Sequence, residues 1–147
     1  MNRRNFIKES TIICTGSLVA SACISSCTSL KFLQSNRIDG IIDGSDLVIP
    51  INSFNIDGGY KPYVVVQNEI LKHPICVYRF SPIHYNALNL ACTHQGNELQ
   101  VYGEKLECPA HGSEFDNKGN VVKGPADKNL RMFPIAIGAS ELRISLK

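Results

Sequence analysis

The chain has 147 residues, no Trp, and 7% aromatic residues in all. That length suits one domain with a hydrophobic core that needs no disulfide staples, and the scarcity of rings argues against a stacking surface for nucleic acid. The formal charge of +2 belongs to the first 27 residues: of fifteen basic and thirteen acidic side chains, Arg3, Arg4, Lys8 and Glu9 fall there, leaving twelve of each elsewhere. A neutral body gives no electrostatic reason to bind nucleic acid or an anionic surface.

In chain order, the first 27 residues read as an address. A basic start, "MNRRNFIKE", precedes an uncharged run from Ser10 to Leu30, which is the layout of a signal segment. "RRNFIK" resembles a twin-arginine export signal, with Asn2 where Ser or Thr is more usual. "ISSC", ending at Cys27, resembles a bacterial lipobox, and "ASAC", ending at Cys23, fits it less well. The reading is cleavage before Cys27 and lipidation of its thiol. A retained membrane helix is the alternative, since the run is long enough to cross a bilayer, although nine of its 21 residues are Ser or Thr. Either version places the body outside the cytoplasm and on a membrane.

Residues 28–44 read as a tether, and a domain is expected over 45–147. Within it, "DLVIPI", "YVVVQN", "ICVYRF", "YNALNLA", "ELQVY", "KLEC", "RMFPIAIG" and "ELRISL" are short and rich in β-branched or alternating residues. Turn signals such as Gly58-Gly59, Ser81-Pro82 and Gly103 separate them. No stretch of helical length shows a persuasive helical period. An all-β fold follows, a small antiparallel sandwich or barrel. Residues 98–108 read as a hairpin about Gly103, carrying the chain from one short box of residues to another.

Those boxes are "ACTHQGNEL" and "CPAHGSEF". Cys92 and His94, then thirteen residues, then Cys108 and His111, make a four-ligand pattern with one Cys and one His in each half. A tetrahedral zinc site can be built from two Cys and two His. Zinc sites of the finger type, however, usually take two Cys from one segment and two His from another. One of each per loop suits a two-iron centre with both thiolates on one iron and both imidazoles on the other.

"CTHQG" and "CPAHGS" resemble the two cluster-binding boxes of Rieske 2Fe-2S proteins, and "EFD" and "KGPADKNL" resemble the segments that follow in that family. The resemblance runs from about residue 60 to the C-terminus. It implies a Rieske-like β sandwich or barrel with a cluster-binding subdomain of two loops. It implies one 2Fe-2S cluster, with Cys92 and Cys108 on the inner iron and His94 and His111 on the outer, solvent-facing one. Gly96 and Gly112 would permit tight loops, Ser113 would donate to a bridging sulfide, and Gly124 and Pro125 would form a shielding loop. Replacing two thiolates by neutral imidazoles raises the formal cluster charge from about −2 to about 0, and the potential into a range of about −150 to +300 mV. Reduction favours imidazole protonation, so electron transfer can be coupled to proton uptake.

Two departures stand out. Members from cytochrome bc complexes carry an extra Cys in each box, and those two form a disulfide; here the places hold Asn97 and Ala110. Such a bridge, closing a loop of about 14 residues, would contribute roughly 3 kcal/mol. Phe115 stands where high-potential members have a Tyr that donates to a ligand sulfur, which implies a lower potential. The chain reads as an exported, membrane-tethered one-electron carrier whose redox partner docks near His94 and His111. The alternatives are a small subunit of a larger oxidoreductase and, from another class, a structural zinc domain. Cys76 reads as a buried strand residue.

Overall fold

A computed structural model describes residues 36–147. The readings at Arg3-Arg4, Cys23 and Cys27 lie outside the described residues. In chain order the elements are β1 (Arg37–Asp39), β2 (Ile41–Asp43), β3 (Asp46–Pro50), a 3-10 turn (Ile51–Phe54), β4 (Asn55–Ile56), β5 (Gly59–Tyr60), β6 (Tyr63–Gln67), β7 (Ile75–Ser81) and β8 (His84–Asn89). There follow β9 (Gln100–Tyr102), β10 (Lys105–Glu107), β11 (Glu114–Asp116), β12 (Val121–Lys123), β13 (Met132–Phe133), β14 (Ile135–Ile137) and β15 (Glu141–Ser145). The all-β expectation holds. Among the described residues no helix is long and apolar enough to cross a membrane.

Three sheets stack as layers. The central sheet has the order β1-β6-β7-β8-β13, and β14-β15-β3-β2 and β12-β11-β10-β9 lie on its two sides. Both faces of the centre are therefore buried. Along β6, Tyr63 and Val65 point to one core and Val64 and Val66 to the other; along β7, Cys76 and Tyr78 oppose Ile75 and Val77 in the same way. A strand buried on both faces has no polar side to show, so its sequence runs apolar without alternation. This explains "YVVV", "ICVY" and the broken alternation of "YNALNLA", where Ala87 joins one core while Leu88 and Leu90 join the other.

The pairing is antiparallel except for β1, which lies parallel to β6. That strand corrects the expected tether. Residues 37–43 belong to the fold: β1 extends the central sheet and β2 pairs with β3 in the outer one. Ile38 and Ile42, the scattered apolar residues of the segment, pack against the second core. Gly40 makes the corner between the sheets, where an added Cβ would lie 2.6 Å from Leu47 Cδ1 and 2.7 Å from Val66 Cγ1. The domain thus begins by Asn36, not at Ser45.

Candidate metal centre

β8 ends at Asn89 and delivers the first box; the Leu90 amide donates to the Pro74 carbonyl, and Ala91 bridges to Glu98. The expected hairpin is present as β9 and β10, paired Lys105 to Tyr102 and Glu107 to Gln100, with Gly103 at φ 63° in its turn. β10 then hands the chain to the second box, and β11 returns beside it.

The boxes fold into two copies of one turn. In the first, the Cys92 amide donates to the Asn97 carbonyl at 2.8 Å and the Gly96 amide to the Cys92 carbonyl at 2.7 Å. In the second, the Cys108 amide donates to the Ser113 carbonyl at 2.8 Å and the Gly112 amide to the Cys108 carbonyl at 2.9 Å. Each turn needs its fourth residue after the Cys in the left-handed region, and Gly96 and Gly112 supply it at φ 76° and 74°. L-residues with a side chain are disfavoured there. Nothing lies within 4 Å of a Cβ built on either glycine, so their role is backbone shape together with open space in front of it.

The turns sort the ligand candidates by depth. Cys92 and Cys108 are buried at 2% and 1% exposure, both in the core that holds Phe115 and Leu106. His94 and His111 are exposed, with ring centroids 5.0 Å apart and planes at 88°. Two sulfurs lie beneath, two imidazoles above. Among the described residues, no three His, Cys, Asp or Glu side chains gather as a mononuclear site would require. A two-iron centre asks for only two protein ligands per iron.

A third segment closes over both turns. The Gly124-Pro125 peptide is cis. Just after it, the Ala126 amide donates to Ser113 Oγ at 3.0 Å, in a buried bond. Thr93 Oγ1 donates to the Lys128 carbonyl at 2.6 Å. Thr93 was not singled out in the sequence, because a Thr between two ligand candidates carries no signal of a partner 35 positions away. Arg37 adds a second tie, pairing with Glu98 at 3.0 Å beside the first box. Cys92, Cys108 and Cys76 are free thiols, with no bridge at Asn97 or Ala110. Burial pushes the Cys76 thiol far above its ordinary range, with a hydrogen bond to Tyr78 pulling the other way.

The model of the Rieske [2Fe-2S] domain matches residues 55–134. The chain belongs to the Rieske [2Fe-2S] domain family. It is 35% identical over 86 residues to the cytochrome b6-f complex iron-sulfur subunit of a Cyanothece species, covering 57% of this chain and 42% of that protein. With subunit 1 of the same complex from a Nostoc species, identity is 43% over 76 residues, covering 50% of this chain and 36% of that one. The chain therefore spans about two fifths of the length of the curated relatives it matches. Among solved structures it resembles the plasma membrane Rieske protein PetC3 of Synechocystis PCC 6803, at TM-score 0.50 and 27% identity, over 58% of this chain and 87% of that one. A Rieske domain is an electron-transfer domain with a 2Fe-2S cofactor, and the zinc alternative falls away. The residues fit that group: two buried sulfur donors, two exposed nitrogen donors, and open glycine turns on both sides.

Proposed function

We propose that the protein is an exported, membrane-tethered carrier of one electron, with Cys92 and Cys108 holding one iron and His94 and His111 the other. The observation that carries this reading is the layered placement of the four side chains, sulfurs buried and paired imidazoles at the surface. When bound, the cluster supplies a one-electron couple whose imidazole ligation keeps it above all-thiolate clusters. The chain's own residues do the rest. Gly96 and Gly112 let the two turns close. Ser113 Oγ accepts from the Ala126 amide, which leaves its hydroxyl proton to donate toward a bridging sulfide. Gly124 and Pro125 lie at the start of the segment that covers the site and excludes water from it. His94 and His111 form the edge at which a partner docks and the electron leaves.

Export and tethering are supported by the Arg3-Arg4 start, the uncharged run and Cys27. The name of the Synechocystis relative places that protein at a plasma membrane. The names of the curated relatives favour a second reading, in which the chain is a small subunit of a larger oxidoreductase.

Purified protein should contain about two iron and two acid-labile sulfide per chain and give an electron paramagnetic resonance signal on reduction. Zinc without sulfide would overturn the reading. Cys27→Ser should release the protein from the membrane fraction; unchanged membrane recovery would reject the lipid anchor.

A further inference from the structure

Two sheet edges border one cavity beside the first box. β1 is an edge of the central sheet, and β9 is an edge of the sheet β12-β11-β10-β9. The cavity has a volume of about 190 Å³, and Arg37, Tyr63, Val65, Leu90, Val101 and Tyr102 are among the residues that line it. A cavity of about 150 Å³ with apolar walls can hold benzene, so this one has room for a leucine side chain. Edge strands are commonly covered by another segment of chain.

The two bordering strands run in opposite senses. β1 lies parallel to β6, with Arg37 opposite Val65. Arg37 also pairs with Glu98, just before β9, at 3.0 Å. At the start of β6, Tyr63 lies opposite Tyr78, whose hydroxyl donates to the carbonyl of Gly103, just after β9. β9 therefore runs from the level of Arg37 toward the level of Tyr63, and β1 runs the other way. Carried back along the direction of β1, the chain before Asn36 passes beside β9 and over the cavity. Residues 28–35 lie outside the described residues; they read "TSLKFLQS". β1 alternates, with Arg37 on the cavity and Ile38 on the second core. The same alternation puts Leu33 on the side of Arg37. Leu33 stands four residues before Arg37, as Tyr102 stands four after Glu98.

We propose that the segment before Asn36 is a latch, lying along the outer edge of β9 with the Leu33 side chain in the cavity. It is the occupant already joined to the cavity wall at Arg37, so it binds without the cost of bringing a separate chain. The latch stands whether or not Cys27 carries lipid; its consequence for the cluster rests on the membrane-tether reading above. With Leu33 docked, residues 28–32 remain as linker in place of 28–35. Five residues span at most about 17 Å, against about 28 Å for eight. A lipid-bound Cys27 then holds the first box and its sheet on a short lead, tied through Leu33 and through Arg37 to Glu98.

Lys31, two residues before Leu33, offers trypsin a cut within the latch. The rate of that cut would be followed by mass spectrometry on the full-length, iron-loaded protein. Leu33→Ser should speed it by about tenfold or more, the factor by which losing one buried leucine raises the open fraction, and Leu33→Met should keep the native rate. Tyr102→Asp, at a residue that lines the cavity and is 51% exposed, should speed the cut likewise with iron content unchanged. Ile83→Asp, at an exposed turn outside the cavity lining, should not. A cut equally fast in the native protein and Leu33→Ser would overturn the latch. Protection lost in Leu33→Ser but kept in Tyr102→Asp would overturn it too, placing Leu33 in lipid or detergent. Protection that disappears on dilution would overturn it in favour of a second copy. Membrane recovery, read on the same samples, follows the tether and not the latch, so either reading can fail without the other.

Discussion

Phe115 is fully buried in the same core as Cys92 and Cys108, and its ring offers no donor to a sulfur. Restoring a hydroxyl there should favour the reduced, more negative cluster. A hydrogen bond is worth about 1 kcal/mol, so Phe115→Tyr should raise the one-electron potential by about 40 mV. Redox titration checks this, and a fall or no change would reject the account. Cys76 sits in the same core with a contrasting fate. Its burial favours the thiol over the thiolate, and the thiolate is the reactive form. Native protein at neutral pH should leave Cys76 unmodified by iodoacetamide, and denatured protein should not; peptide mass spectrometry reads the difference. Its role as a plain strand residue was legible in "ICVYRF". Its sharing of a core with both box cysteines was not, because that depends on which face of β7 meets which sheet.

At the scale of elements, the two box turns and the closing segment stabilise one another without a disulfide. Their ties are backbone hydrogen bonds, Ser113 to Ala126, and Thr93 to Lys128. Removing the iron should therefore loosen them. Hydrogen exchange at the Gly96 and Gly112 amides is expected to speed up on chelation, and unchanged protection would show that the turns stand without the cluster. The β11–β12 turn depends on Asp116. Its carboxylate accepts from the Lys118 and Asn120 amides and from Asn120 Nδ2. Partial burial pushes this carboxyl upward, but the hydrogen bonds from Asn120 and Lys118 together outweigh it, and it ends below its ordinary range. A depressed folded-state value means stability that is present above the unfolded value and lost as pH falls through the folded one. Asp116→Asn should lower the melting temperature at neutral pH, and the gap from the native protein should close as the medium is acidified through that range. A gap independent of pH would reject the role of the charge.

At the scale of the whole molecule, the cluster-bearing sheet is fastened to the centre far from the boxes. Tyr78 Oη donates to the Gly103 carbonyl at 2.9 Å, joining β7 to the turn of the β9–β10 hairpin. Burial, reinforced by Cys76, pushes the phenol upward, so it stays a donor at any ordinary pH. Tyr78→Phe should cost about 1 kcal/mol of unfolding free energy and leave iron content unchanged; loss of iron would mean that this contact also shapes the site. What the residues alone determined is the all-β class, the hairpin between the boxes, and the family, because cluster chemistry demands particular residue types within a few positions of one another. The short spacing of "CTHQG" and "CPAHGS" carries that demand in one dimension. Only the tertiary structure decided that residues 37–43 are strands, that the central sheet is buried on both faces, and that Thr93 and Lys128 meet. Each of these is a relation between segments distant in sequence, settled by which sheet covers which face, and no local pattern of residue types records it.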